Sequence, residues 1–355
     1  MKKSAFLAGL LAAGLACPAA LAGGPRPAMV TIETETTIKK GLAYLAKGQH
    51  KRGSWSGGTG YGASYEAAMT GLAGVALLSS GSTPTRGPYA PNIRRAIYWV
   101  LTQQNRATGL ICSRAEESRS MYGHGFCSLF LAESMGMAGS KRLERDIRLA
   151  LQRAVKLTEG SQSKLGGWIY TPSGASDEGS VTVTQVQALR ACQNAGVQVN
   201  KKIIDTAFAY LQRAKCADGG IAYSARSGGR GSSRPAITAA ALTCLYSAGK
   251  YNTPLTRSVE KYCLARYNQM AGGGGKRFGH FYYTNLYLAE ALYQHGRKPW
   301  QEYYPKIRDW LLKAKADRSD GTCAWQGDSV GLVYGTSIAL TILQLPYGYL
   351  PIVQK

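Results

Sequence analysis

The chain has 355 residues, 43 of them basic and 20 acidic, for a formal net charge of +23, with 45% hydrophobic residues. That hydrophobic share supports a packed core and excludes an intrinsically disordered chain. The cations are scattered, as in Arg142, Arg145, Arg148 and Arg153. With no dense basic run, they exclude a specific nucleic-acid motif while leaving anionic surfaces as plausible partners.

In chain order, Met1-Lys2-Lys3, the apolar stretch 5–16 and Ala20-Leu21-Ala22 read as a signal peptide over 1–22, hence an exported, periplasmic or secreted protein. Cys17 fits an acylation box poorly, and no later stretch is apolar for long enough to span a bilayer. Residues 23–34 are expected to be an N-terminal extension, and 35–355 a single domain.

That domain is built from a unit of roughly fifty residues that recurs six times. Each copy opens with an amphipathic helix, as in Ile38, Leu42 and Leu45, or Ile93, Ile97, Val100 and Leu101. A second helix follows that is apolar on nearly every side: 67–78, 126–135, 186–192, 237–248, 286–293 and 337–345. Five of these end at or just before Gly81, Gly136, Gly196, Gly249 or Gly296, residues suited to a helix C-terminus. A hairpin of this kind cannot bury its inner helix alone, so the copies must stack. The last inner helix is as apolar as the central ones, which favours a closed ring over an open solenoid with polar caps.

The joints between outer and inner helix carry a motif. Gln49, Gly53 and Trp55, and Gln162, Gly166 and Trp168, both fit Gln-x-x-x-Gly-x-Trp. Degenerate forms are Gln104 with Gly109, Asp218-Gly219-Gly220, and Asp320-Gly321 before Trp325. Gly permits a tight exit, the indole covers an apolar joint, and the Gln amide bonds free backbone groups, so the motif is expected to stabilise the scaffold. On these residues the chain resembles the prenyltransferase and squalene oxidase repeat proteins, which include squalene-hopene cyclases and the β-subunits of protein prenyltransferases. The resemblance covers essentially the whole mature chain and implies an all-α fold, six helical hairpins closed into an α6/α6 toroid.

The resemblance also implies chemistry that the residues do not carry. Cyclases of this kind protonate substrate with an Asp-x-Asp-Asp cluster, which is absent here. The nearest equivalent is Asp177-Glu178 before the third inner helix, where Thr184-Gln185 and Ala188-Leu189 resemble the cyclase pattern. Asp177 and Glu178 are the candidate catalytic acids, although carboxylates at that place also suit helix capping. No Asp-Asp-x-x-Asp is present to hold Mg²⁺, the zinc ligands of the prenyltransferases have no counterpart, and no metal or cofactor is expected.

The chain has 22 Tyr against 6 Phe, and many Tyr, Tyr61 among them, stand near the starts of inner helices. The expected ligand site is a mouth lined by Tyr65, Tyr122, His124, Tyr170, Gln185, Tyr223, His280, Tyr282, Tyr283 and Tyr334. It suits a lipid, an isoprenoid, a glycan or an envelope protein, bound without cyclase chemistry; the alternatives are a diverged cyclase or prenyltransferase-like enzyme and a polysaccharide-active enzyme on the same ring. The tract 272–277 is either a lid or a long turn. Glycoside hydrolysis needs two carboxylates around one cleft, and Glu66, Asp177, Glu178 and Asp328 are expected not to supply such a pair. Of eight cysteines, Cys17 falls in the signal, leaving an odd number; Cys192 with Cys244 is a conceivable disulfide, and buried free thiols are the other reading. The segment 345–352 is expected to pack across the ring's seam against the first hairpin.

Overall fold

Helices that are apolar all round must be surrounded by other helices, and here they surround one another. The computed structural model describes residues 26–57, 64–271 and 279–354; the stretch 1–22 read as a signal peptide, Tyr61 and the tract 272–277 lie outside the described residues. Among the described residues the outer helices are α1 (Ile32–Gly48), α3 (Ala90–Thr102), α5 (Lys141–Gly160), α7 (Lys201–Ala214), α9 (Pro254–Ala271) and α11 (Arg297–Ala314). The inner ones are α2 (Glu66–Leu78), α4 (Ser120–Glu133), α6 (Gly179–Asn194), α8 (Pro235–Ser247), α10 (Phe281–His295) and α12 (Leu332–Gln344). The first outer helix starts at Ile32, inside the stretch expected to be an extension, because the Thr31 hydroxyl accepts from the Thr34 amide and caps it.

The outer helix α5 buries Leu143, Ile147, Ala150, Leu151, Ala154, Val155 and Thr158, one stripe at helical spacing. The inner helix α2 buries every residue from Ala67 to Leu78. Each inner helix packs on the next, and α12 returns to α2, so the ring is closed. Close approach depends on small residues: a Cβ on Gly71 would sit 2.6 Å from the Phe126 backbone. At the seam, the strand Cys323–Ala324 pairs with Ala316–Asp317 against α1, and Lys40 reaches Asp317 at 3.3 Å. This is an all-α, closed α/α toroid, as the sequence implied.

The motif joints work as the chemistry of their residues demands. Gln49 Nε2 donates to Gly53 O (2.8 Å) and to Asn92 O of the next outer helix (2.9 Å), and Gln162 Nε2 does the same to Gly166 O (3.0 Å) and Ile203 O (2.9 Å). Trp55, Trp168 and Trp325 are fully buried, and their indole N–H groups donate to Leu45, Thr158 and Leu311 carbonyls at 2.7–2.8 Å. Gly53, at φ 106, lies so close to α3 that a Cβ would sit 2.3 Å from Arg95 O. The five helix-ending glycines all have positive φ.

The C-terminal segment does touch the first repeat, since Tyr349 lies against Gly81, but it reaches much further. Its turns Leu345–Tyr347 and Pro351–Val353 pass beneath α6 and α10, where Ile352 N donates to Glu133 (3.1 Å) and Ile352 O accepts from Gln294 (3.1 Å). It therefore closes the ring end opposite the inner-helix N-termini. Cys192 and Cys244 are not bridged; both are buried free thiols, as packed hydrophobes are.

Candidate functional site

The N-terminal ends of the six inner helices gather at one mouth, and a cavity of about 590 Å³ opens there. Its floor is Ala68, Met69, Leu72, Phe126, Ala236, Ile237 and Val330, and its wall carries Tyr65, Tyr122, Tyr170, Tyr223, Tyr283 and Tyr334. Inner helices begin earlier than the apolar pattern suggested, so Tyr122, Tyr283 and Tyr334 sit on first turns of α4, α10 and α12 and point into a packed wall. Burial pushes all three phenols well above their ordinary range, so they remain neutral.

Hydrogen bonds hold this wall. Tyr122 Oη meets Ser180 Oγ at 2.6 Å, Tyr283 Oη donates to Ser180 O at 3.0 Å, and Tyr170 and Tyr223 share a hydroxyl bond of 2.5 Å. The Arg119 guanidinium lies 4.8 Å over the Tyr170 ring.

The carboxylates are held by backbone and hydroxyl donors. Glu178 caps α6, accepting from Ser180 N (3.0 Å), Ser180 Oγ (2.7 Å) and Val181 N (2.9 Å). Burial pushes its carboxyl up against the pull of those bonds. Glu178 is the only carboxylate in the cavity wall among the described residues. Its neighbour Asp177 faces away, accepting from Ser224 Oγ (2.6 Å) and Ala225 N (3.0 Å) of the next repeat. Asp328 accepts from Phe281 N (3.1 Å) at the start of α10, and Glu66 accepts from Ser54 Oγ (2.6 Å); neither lines the cavity. Glu116, not singled out from the sequence, accepts from Ala67 N (3.0 Å) and Ala68 N (2.9 Å) and so caps α2 from the following repeat. Its signal was Ser113-x-x-Glu116, a capping-box spacing.

Three expected ligand residues are not in the wall. His124 is buried, its Nδ1 accepting from Ile111 N (3.1 Å) and its Nε2 beside Thr158 Oγ1 (3.0 Å). Burial pushes it down to about 4, so it stays neutral. In four other joints the same amide, that of Trp55, Trp168, Ile221 or Trp325, donates to Thr70, Thr182, Thr238 or Thr336. His124 is thus a scaffold acceptor standing in for a threonine. Gln185 is buried, donating to Met121 O at 2.7 Å, and ties α6 to α4. Tyr282 packs edge-on against Trp310 of α11 and faces outward from the ring.

Arg119, Arg234 and Ser180 are wall residues that sequence reasoning missed. Their signal was positional, since each arginine immediately precedes an inner helix. Among the described residues no cluster of His, Cys, Asp or Glu is arranged to hold a metal ion, and no helix is long and apolar enough to cross a membrane.

No family model matches the chain, and no curated protein matches it by sequence. Solved structures do match in fold. A variant of the type II terpene cyclase MstE from Scytonema, in complex with merosterolic acid A, shares 13% identity over 89% of this chain and 97% of its own, with a TM-score of 0.57. An inactive variant of the α-1,6-mannanase GH76A of Salegentibacter sp. HEL1_6, in complex with α-1,6-mannotriose, shares 7% identity over 89% and 99%, at 0.62. The unsaturated glucuronyl hydrolase of Bacillus sp. GL1 shares 13% identity over 89% and 97%, also at 0.62. The chain has the α/α-toroid fold common to these terpene cyclase and glycan-hydrolase structures.

Proposed function

We propose that this toroid binds the apolar portion of a lipid or isoprenoid-like ligand in its Tyr-lined cavity, without cyclase chemistry. The carrying observation is the pairing of an apolar floor with a single wall carboxylate among the described residues, Glu178, whose oxygens already accept three hydrogen bonds at the N-terminus of α6. A glycan or an envelope protein fits less well, because hydroxyls or peptide groups would lie unpaired against Met69, Leu72, Phe126 and Ile237. With residues 1–22 read as a signal peptide, we place this binding outside the cytoplasm, where an apolar molecule needs a covered site.

Calorimetric titration of the mature chain with farnesol tests the reading. Saturable binding, abolished by Ala236→Trp at unchanged melting temperature, supports it; absence of binding refutes it. The raised Glu178 carboxyl favours one second reading, a diverged cyclase with Glu178 as proton donor. A cyclised product that disappears in Glu178→Gln would transfer the function to that reading.

A further inference from the structure

The outer helices α1, α5 and α7 are capped in the ordinary way, by side-chain oxygens of Thr31, Ser140 and Asn200. At the mouth, the residue preceding an inner helix supplies such a cap only in α6, through Glu178. The preceding residues are Tyr65, Arg119, Glu178, Arg234, His280 and Gly331, and the five with side chains all line the cavity. Arg119, Arg234 and His280 make no side-chain cap bond. A cation at the positive end of a helix dipole opposes helix stability, so these residues are poor choices for the scaffold. His280 adds backbone strain at φ 51; only it and Asp328 among the described non-glycine residues have positive φ. Buried all round, the inner helices keep their structure through packing and tolerate such caps.

The electrostatics of the cavity agree. Neither arginine has a carboxylate within ion-pair distance among the described residues, and Arg119 packs over the Tyr170 ring. The one wall carboxylate among the described residues is tied to the α6 backbone. An apolar cavity is thus rimmed by two uncompensated guanidiniums and an imidazole, and local stability is sacrificed where a site would gain from the charge.

We infer that Arg119 and Arg234 bind the oxyanion head, a carboxylate or a phosphate monoester, of an amphiphile whose apolar tail fills the cavity, with His280 as a further polar contact. This rests on the ligand-binding reading above and names the ligand class it admits. Guanidinium donors suit both oxyanions through paired, charge-assisted hydrogen bonds.

The test compares farnesol, farnesoate and farnesyl phosphate by calorimetry on the mature chain at low salt, below micelle-forming concentrations. At least one anion should bind about tenfold or more tightly than farnesol, and that preference should shrink as salt is raised. Arg119→Gln and Arg234→Asn should each weaken the anion about fivefold or more, well beyond any change in farnesol affinity. Arg234→Asn should also raise the melting temperature, since it supplies a proper cap; opposite shifts in stability and anion affinity would separate a head-group role from a structural one. Which anion binds better identifies the oxyanion. Equal affinity for all three compounds, or parallel loss of all three in the arginine variants, overturns the head-group assignment and leaves the cavity reading standing. If none binds the native protein, both fall.

Discussion

Replacing Glu133 by glutamine should flatten the pH dependence of stability on the alkaline side of neutrality. Glu133 and Glu290 are buried in the ring interior, Glu133 accepting from Ile352 N (3.1 Å) and Glu290 from Gln187 Nε2 (2.8 Å). Burial, the largest cause for each, pushes both carboxyls up to about 8 from 4.5, and the two also repel each other. The folded state therefore holds protons that the unfolded chain releases above 4.5. Stability from these groups is complete below that point and is lost as pH rises through about 8. His124 acts oppositely: neutral in the fold down to about 4 against 6.5 in the unfolded chain, it costs stability as pH falls below 6.5. The clean window is thus pH 6.5 to 8. There, about 1.5 pH units at about 1.4 kcal/mol each give about 2 kcal/mol lost per carboxyl. Urea unfolding of the native chain and of Glu133→Gln, at half-unit steps from pH 6 to 9, measures it. The native chain should lose about 4 kcal/mol over the window and the variant about half of that. Stability that is flat with pH in the native chain, or equally steep in the variant, would refute the burial argument.

The scaffold residues give further outcomes. Trp55→Ala and Trp168→Ala should each cost roughly 3–5 kcal/mol in denaturant unfolding, because each removes a fully buried indole and an N–H bond to an outer-helix carbonyl. Farnesol affinity should hold wherever these variants remain folded. His124→Thr should keep the Ile111 amide paired and lose only roughly 1–3 kcal/mol to the cavity left by the smaller side chain, since threonine accepts the equivalent amide in four other joints. His124→Leu should cost roughly 1–3 kcal/mol more than His124→Thr by leaving the Ile111 amide unpaired. A histidine-specific loss of ligand binding in His124→Thr would contradict its scaffold role.

Much of the ring was legible in the sequence because its signals are local. Helical spacing in α5, unbroken apolarity in α2 and the glycines after five inner helices each reflect an environment that a single segment must satisfy by itself. The Gln-x-x-x-Gly-x-Trp joints were readable for the same reason, since the bonds of Gln49 and Trp55 span only a few residues apart from one reach to the next helix.

The candidate site was legible only in part. Its tyrosines announced themselves by number and position, but the fate of each polar group depended on partners far away in the chain. Asp177 and Glu178 are adjacent, yet one faces the next repeat and the other the cavity, because the backbone turns between them into α6. His124 reads as a lone polar residue on an apolar helix until the Ile111 amide arrives from the preceding loop. Gln185 and Tyr282 were drawn to other helices by the same closure of the ring.

The sequence by itself determined which helices are inner and which outer, and that the inner ones must enclose one another, because burial demand is written residue by residue in hydrophobic periodicity. Only the tertiary structure decided that Arg119, Arg234 and His280 converge on one cavity and that the C-terminal segment closes the opposite end. Those juxtapositions join residues far apart in the chain, 219 positions in the case of Ile352 with Glu133, and no local pattern encodes which distant group a side chain will face.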